Sequence, residues 1–377
     1  MGHNRVCIII LIIMKILIVS AYFTPEITPR AFRTTELVLE LLKRNHDVFL
    51  YIPYKNNDYT HLLEKYSNLH ISYLTDSEIH AKLPLGKEMW KRGLRFLYSK
   101  YAQFTCHPFI KLKKAIPVFF KNNMESSDLL VSIAAPHAVH WGVADSIEKG
   151  YIKTNKWIAD CGDPFMGDET LYRPFYFKKY EIKFCSLADY ITVPIENAVT
   201  AYYPKFREKI KVIPQGFDFS EYKNLGCNYR RNMVPTFAYA GSLYLGYRDL
   251  NSFVSYLSTL NYDFKFIVYT PKSVLVDSYK NLLHDKLIIK SFIPRNKLLY
   301  ELSTMDFLVN IENKGKAQLP SKLIDYALTN RPVLSVSNRI NKEKVLAFLK
   351  GDYKEKMLMP NLKTYEISNV VDKFLKL

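Results

Sequence analysis

Apolar, β-branched runs recur along this chain, and most are followed by a stretch with helical spacing. Ile16-Leu17-Ile18-Val19 is a continuous apolar run, as a strand buried on both faces of a parallel sheet requires. Leu37, Val38, Leu41 and Leu42 then share one helical face, and Asn45 can end that helix in place of glycine. Val48 to Ile52 is the next strand, stopped by Pro53. This is a β-α-β unit, which implies a parallel sheet. Further strands are expected within residues 69–75 and at Leu129–Ile133, Trp157–Asp160, Tyr190–Val193 and Lys211–Ile213. After a polar, basic stretch from Asn224 to Pro235, a second series comprises Thr236–Ala240, Phe264–Tyr269, Leu287–Ser291, Phe307–Ile311 and Val333–Val336. Helices are expected over Asn251–Leu260, Asn296–Thr304, Ser321–Thr329 and Lys342–Leu349. The pattern predicts two α/β domains in tandem, residues 14–215 and 236–350, with the boundary near 216–235. A tail helix within 351–377 is expected to pack back towards the first domain. Ligands of such sheets sit beyond the carboxyl ends of the strands, so function is to be sought in the loops there.

Length and composition agree with this picture. The 377 residues suffice for two ordinary domains, and 48% hydrophobic with 24% charged residues describes a globular chain. Lys plus Arg number 53 against 36 acidic residues, a formal charge of +17, which calls for an anionic partner: nucleic acid, a membrane surface or a phosphorylated substrate. The five cysteines, Cys7, Cys106, Cys161, Cys185 and Cys227, are widely spaced without C-x-x-C, which argues against a disulfide framework or zinc knuckle and fits a reducing cytosol. Val6 to Met14 is an apolar run interrupted by Lys15, short of the about 20 residues of a membrane span, and no small-residue cleavage site follows. Met14 is read as the true start and residues 1–13 as an upstream extension, with a short membrane anchor as the rival reading.

No strand is followed by G-x-G-x-x-G or by a P-loop, so nicotinamide-type dehydrogenases and P-loop NTPases lose ground. The first loop instead leads to Arg30 and Arg33 at a helix start, where cations oppose the dipole. A bound anion or acceptor would offset that; a solvated pair is the other reading. His137 and His140 follow a strand and suit hydrogen bonding to a substrate hydroxyl or phosphate, or simply a place in the fold. Asp163, held extended by Pro164, either faces a ligand or caps a helix. Gly241 and Ser242 open a loop that closes on Arg248, where backbone N–H groups and a guanidinium suit a diphosphate. Pro320-Ser321-Lys322 reads as a helix entry with a cation and a hydroxyl suited to an anion, and Asp325 lies one turn on, able to take both hydroxyls of a ribose. A capped surface helix with a Lys–Asp pair is the competing account.

Taken together, these segments resemble the GT-B-fold glycosyltransferases of the large retaining family 4 (group 1), of the polysaccharide- or capsule-biosynthesis type. The resemblance runs from Met14 to about Phe348. It rests on MKILIVSAYFTPEITPRAFRTTELVLELLKRNHDV, on PHAVHWG and WIADCGDP, on KVIPQGFD at the linker, and on FAYAGSLYLGYRDL and PSKLIDYALTNRPVL. Asn45 stands where the family has glycine, Cys161-Gly162 replaces its Phe-Arg, and Ala317 replaces the first of its two glutamates, with Asp325 at the second. The resemblance implies two Rossmann-like domains facing a central cleft, with the acceptor on the first and a nucleotide-diphosphate sugar, a UDP-sugar, on the second. It implies metal-independent transfer with retention, and no D-x-D is present. In this reading His137, His140 and Asp163 are catalytic, and Arg30 and Arg33 bind acceptor. Gly241, Ser242, Arg248, Ile293, Ser321, Lys322 and Asp325 bind donor, with Ile293-Pro294 facing the base. No cofactor is expected beyond the donor.

Two other classes stay in view. A GT-B sugar-nucleotide epimerase or hydrolase would share the architecture but turn over a UDP-sugar without acceptor. A basic nucleic-acid binder would show steep salt dependence, yet no nucleic-acid motif is present, so no nucleic-acid partner is expected. Residues 87–121 interleave Lys91, Arg92, Arg95, Lys100, Lys111, Lys113 and Lys114 with Trp90, Leu94, Phe96, Leu97, Tyr101, Phe104 and Phe109. This suits a helix pair on an anionic membrane surface near a glycan or lipid-linked acceptor, or an ordinary basic helix packed on the domain. The expected location is the cytoplasm, with peripheral attachment to the inner face of the cell membrane.

Overall fold

A computed structural model of the chain describes residues 13–55, 57–76, 78–79, 88–168, 172–223, 225–227, 229–243, 249–270, 274–291, 293–312 and 322–377. They form two compact units: the first takes the described residues up to Asp218 together with Thr364–Leu377, the second runs from Phe219 to Lys363. The N-terminal apolar run lies almost wholly outside the described residues. Among the described residues, no helix is long and apolar enough to cross a membrane.

The first unit contains strands β1 (Lys15–Ser20), β2 (Asp47–Ile52), β3 (Leu69–Tyr73), β4 (Glu125–Ser127), β5 (Leu129–Ala134), β6 (Ile152–Thr154), β7 (Trp157–Cys161), β8 (Tyr190–Val193) and β9 (Ile210–Val212). A parallel sheet has the order β3-β2-β1-β5-β7-β8-β9, and β4 pairs with β6 apart from it. β1 lies inside the sheet between β2 and β5, and Ile16 to Val19 are fully buried, as a strand covered on both faces must be. Helices α1 (Pro29–Lys43), α2 (Thr60–Lys65), α3 (Met89–Thr105), α4 (Ile110–Asn122), α5 (Ala138–Glu148) and α6 (Lys178–Leu187) connect the strands. Thr28 caps α1 by accepting from the Ala31 N–H, and Pro29 follows at the first helical position. Asn45 ends α1 with φ of 63°, as its place in the sequence predicted.

The second unit holds β10 (Thr236–Ala240), β11 (Lys265–Tyr269), β12 (Leu287–Lys290), β13 (Phe307–Ile311) and β14 (Val333–Val336) in a parallel sheet of order β12-β11-β10-β13-β14. Its helices are α7 (Asn251–Ser258), α8 (Val274–Leu283), α9 (Arg295–Ser303), α10 (Lys322–Leu328) and α11 (Lys342–Lys350). Phe237 stacks between Phe307, 4.5 Å away, and Phe266, 4.9 Å away, at the centre of one core layer. Buried Asp306 pins the basic segment before β10. It accepts from the backbone N–H of Asn232 and Thr236 and from the Tyr229 hydroxyl.

The last helix, α12 (Ile367–Lys376), belongs to the first unit. Ile367, Val370, Val371 and Phe374 pack with Ile16, Leu37 and Leu41 in the layer beneath α1. Arg44 fastens it by donating to Asp372 at 2.6 Å and to the Ser368 carbonyl at 2.7 Å.

The stretch expected to form a surface helix pair divides in two. α4 turns Leu112, Ile116 and Phe120 into the core, and Lys113 pairs with Asp145 at 2.6 Å. None of the residues of α3 is buried. Close approach of α4 to α5 depends on Gly142, where a Cβ would stand 2.8 Å from the Ile116 Cβ. Gly142→Val is therefore expected to destabilise the first unit by about 1–3 kcal/mol through overpacking. Gly93→Ala, with open space around it on exposed α3, should gain up to about 1 kcal/mol. Urea unfolding of the two variants measures the contrast.

Candidate functional sites at the strand ends

In the first unit, β1, β5 and β7 end at one edge, and the loops beyond them enclose a cavity of about 440 Å³. Arg30 from α1, His137 from the β5–α5 turn, Asp163 and Phe165 from the loop after β7, and Arg173 line it. The corner between α3 and α4 adds Cys106, His107 and Phe109.

His137 stands at the entry to α5, almost fully buried, and its Nε2 has no hydrogen-bond partner. Burial, then the nearby His140 and Arg173, hold its pKa well below the ordinary histidine value, against a backbone hydrogen bond with Asp163. The ring is neutral at physiological pH and is available to a ligand. Asp163 is exposed on the rim. Arg30 reaches the Ala134 carbonyl at 3.4 Å and lies 3.9 Å from Asp160. Its guanidinium fills the space over Gly162, where a Cβ would come within 2.5 Å of it. The absence of a side chain at Gly162 thus makes room for Arg30.

Arg33 does not share the cavity. It is buried and donates to both oxygens of Asp160, at 3.0 and 2.8 Å, and to the carbonyls of Ile213 and Pro214. Burial alone would raise the Asp160 carboxyl, but Arg33, Arg30 and the Thr192 hydroxyl hold it below the ordinary carboxylate range. The place expected for an acceptor-binding arginine is thus held by a structural ion pair. His140 departs from expectation in the same way. It is fully buried, its Nδ1 shares a hydrogen bond of 2.7 Å with Ser132, and its Nε2 meets Cys161 Sγ at 3.4 Å. Three residues along α5 from His137, it points into the sheet, and it is a core histidine. Arg173 belongs to the cavity but to no motif. Its guanidinium lies 4.5 Å from the centre of the Phe165 ring, and its Nε has no hydrogen-bond partner.

In the second unit, candidate donor residues gather at the carboxyl ends of β10 and β12. Tyr239 is the hub: its hydroxyl donates to the Ser242 carbonyl at 3.1 Å, and Lys322 Nζ sits 4.8 Å above its ring. Gly241 has φ of 147°, a conformation that favours glycine, and a Cβ there would meet the Tyr239 hydroxyl at 3.1 Å. The Gly241 N–H donates to the Tyr269 carbonyl, so it is engaged by the protein rather than offered to a phosphate. Ile293 packs against the core cluster that includes Leu323 and Tyr326, just before Pro294, the residue that caps α9. Asp325 accepts through Oδ1 from Arg295 Nε at 2.9 Å and Nη2 at 2.6 Å. Burial raises its pKa and Arg295 opposes that. Arg295 was not singled out in the sequence, although its place right after Ile293-Pro294 was the available signal. Arg248 and Ser321 lie outside the described residues. Among the described residues, no cluster of three or more His, Cys, Asp or Glu side chains is placed to hold a metal ion.

Two parallel-sheet units with these strand orders define the GT-B architecture, and solved structures similar to this chain share it. A glycosyltransferase from Rickettsia africae matches with a TM-score of 0.59 at 13% identity over 97% of each chain. The lipopolysaccharide outer core galactosyltransferase WaaB, in its apo form, matches at 0.58 and 12% identity, over 96% of this chain and 98% of its own. HepE from Anabaena, in complex with UDP and glucose, matches at 0.54 and 10% identity, over 96% and 98%. No family model matches the chain, and no curated sequence does. Likeness at these identities establishes the fold.

The burial of His140 has a consequence for acid stability. Its pKa is lowered by burial, with Asp160 opposing, to about 3. The unfolded state therefore binds a proton first as pH falls below about 6.5, and folding stability is lost from there down towards pH 3. His140→Gln should show a shallower loss between pH 6.5 and 4 when urea unfolding is followed across that range. Equal slopes would show that His140 contributes nothing to the acid sensitivity.

Proposed function

We propose that the chain is a retaining, metal-independent glycosyltransferase of family 4 type that transfers a hexosyl group from a nucleotide-diphosphate donor, a UDP-sugar, to a glycan or lipid-linked acceptor. The observation that carries the reading is the gathering of Lys322, Ser242 and the Arg295–Asp325 pair at the strand ends of the second sheet. A cation beside an Asp with one oxygen still able to accept suits a nucleoside diphosphate: Arg295 uses Oδ1 with both its bonds, leaving Oδ2 for a ribose hydroxyl. HepE, of the same fold, is known in complex with UDP and with UDP-glucose.

In the transfer, the bond between the anomeric carbon and the donor phosphate oxygen breaks, and a bond to an acceptor hydroxyl oxygen forms. The hydroxyl proton passes to the departing diphosphate, whose charge Lys322 and Arg248 stabilise, with Ser321 as a further donor. Neutral His137 and rim Asp163 hold the acceptor in the first unit's cavity, and Arg30 contacts it. The setting that fits is surface polysaccharide assembly in the cytoplasm, at the inner face of the cell membrane.

A thermal-shift screen of UDP-, GDP- and dTDP-sugars tests the donor assignment, with a UDP-sugar expected to stabilise the protein. Lys322→Ala should weaken that response about tenfold or more in apparent affinity, with the circular-dichroism spectrum unchanged. Product analysis without acceptor should show no epimerised sugar nucleotide, and an epimer would replace this reading with the epimerase one.

A further inference from the structure

The loop that follows β7, residues 162–167, brings Asp163 to the rim of the cavity and Phe165 into its wall. Phe165 is buried among His137, Trp141 and Phe177, whose rings lie 5.1 to 5.5 Å from its own. The end of the loop is packed as closely, since a Cβ at Gly167 would run into the Ala201 carbonyl. A carboxyl from α6 fastens the loop between these two points. Glu181 is 0% exposed, and its Oε2 accepts from the Met166 N–H at 2.8 Å. Its Oε1 has no hydrogen-bond partner.

Among the described residues, no cation pairs with this carboxyl. The lysines of its own helix are engaged elsewhere: Lys178 lies over the Tyr203 ring, Lys179 over the Tyr180 ring, and Lys183 pairs with Asp145 and Glu148. The titratable groups that face Glu181 are Cys161 from β7, Cys185 from α6 itself, and Tyr202 and Tyr203 from the segment after β8. Lys205 and Lys209 act on Cys185, and Lys209 is taken up by the carbonyls of Ser186 and Ala188. An ionised carboxylate with one hydrogen bond and no counter-charge is expensive to bury, so the neutral acid is the form that suits the seated loop. Burial raises the Glu181 pKa from 4.5 to about 7, with the Met166 N–H opposing. The contribution of the neutral acid to seating the loop is therefore whole below about pH 4.5, and it is lost as pH rises through about 7.

We infer that Glu181 is a positioning residue that acts as a pH-dependent latch: neutral, it keeps the loop seated with Asp163 at the rim and Phe165 in the wall, and ionised, it turns to water and lets the loop open. Under the transferase reading, on which the role of Asp163 rests, acceptor binding weakens above about pH 7 while the donor residues of the second unit are untouched.

Hydrogen exchange of the full chain, followed by mass spectrometry at pH 6, 7 and 8, tests the latch. The intrinsic rise of amide exchange with pH is divided out. The peptide covering residues 162–168 should then open about tenfold more at pH 8 than at pH 6, given a carboxyl that titrates near 7 when seated and near 4.5 when released. A peptide covering β1 should show no such rise. Glu181→Gln keeps an oxygen for the Met166 N–H and cannot ionise, so its loop should exchange equally at the three pH values. A flat profile in the wild type, which needs no variant, overturns the inference. So does a rise shared by β1, which would mark a general loosening of the unit. An undiminished rise in Glu181→Gln also overturns it, because another group would then be titrating. Thermal shift with a UDP-sugar reports separately on the transferase reading, and the wild type and Glu181→Gln should respond alike. Absence of that response with the exchange profile as expected would defeat the transferase reading and leave the latch standing.

Discussion

The buried pair of Arg33 and Asp160 joins the parts of the first unit that have to stay in register. Arg33 comes from α1, just after the first loop, and Asp160 from the end of β7. Thr192 of β8 donates to the same carboxylate at 2.6 Å, the carbonyls of Ile213 and Pro214 bring in the segment leaving β9, and the Phe374 ring of α12 lies 5.0 Å from the guanidinium. The pair thus ties the first crossover, two neighbouring strands, the exit towards the second unit and the last helix. Burying two charges is costly, and here the geometry meets the cost: Asp160 accepts two bonds from Arg33 and one from Thr192, and Arg33 is shared among four acceptors. Removing either partner would strand a charge in the core, so this pair is a constraint on the fold rather than a store of stability.

That constraint also sets the character of the cavity. Because Arg33 neutralises Asp160, the more distant Arg30 keeps most of its charge for the space beyond Ala134. Gly162 lets the Arg30 guanidinium lie against the backbone, so it occupies a place that any side chain at 162 would contest. The positive character of the cavity is therefore built on a carboxylate that the cavity itself does not see.

The layout of the fold was legible in the sequence because a parallel sheet demands largely apolar runs, and β1, β5, β10 and β13 are such runs, interrupted only by single polar residues such as Ser132 and Asn310. Asn45 was legible for the same kind of local reason, since few residues tolerate its backbone angle. The site was legible only in part. Spacing tells which residues share an element, but not what each one meets. His137 and His140 are nearly equivalent in sequence, yet one ends at the cavity and the other between Ser132 and Cys161, because α5 leaves its strand at an angle that only the tertiary packing sets. Arg30 and Arg33 divide in the same way, according to which one reaches Asp160. Arg173 carried no signal at all, since its importance comes from Phe165 across the loop.

The second unit adds a different lesson about charge. Asp325 was expected to wait for a ribose, but it is already paired with Arg295, whose guanidinium in turn lies 5.5 Å from the Tyr222 ring. Such pairing lowers the cost of keeping a half-buried carboxylate ionised before any ligand arrives. It also fixes the rotamer of Asp325, so the carboxylate is ordered before any ligand arrives. Lys322 is held over Tyr239 in a comparable way, with its ammonium against an aromatic face that stabilises it without neutralising it. The +17 of the chain is therefore not one undifferentiated attraction for anions. Several of its cations already have partners within the fold: Arg33 holds Asp160, Arg295 holds Asp325, and Lys322 lies over the Tyr239 ring.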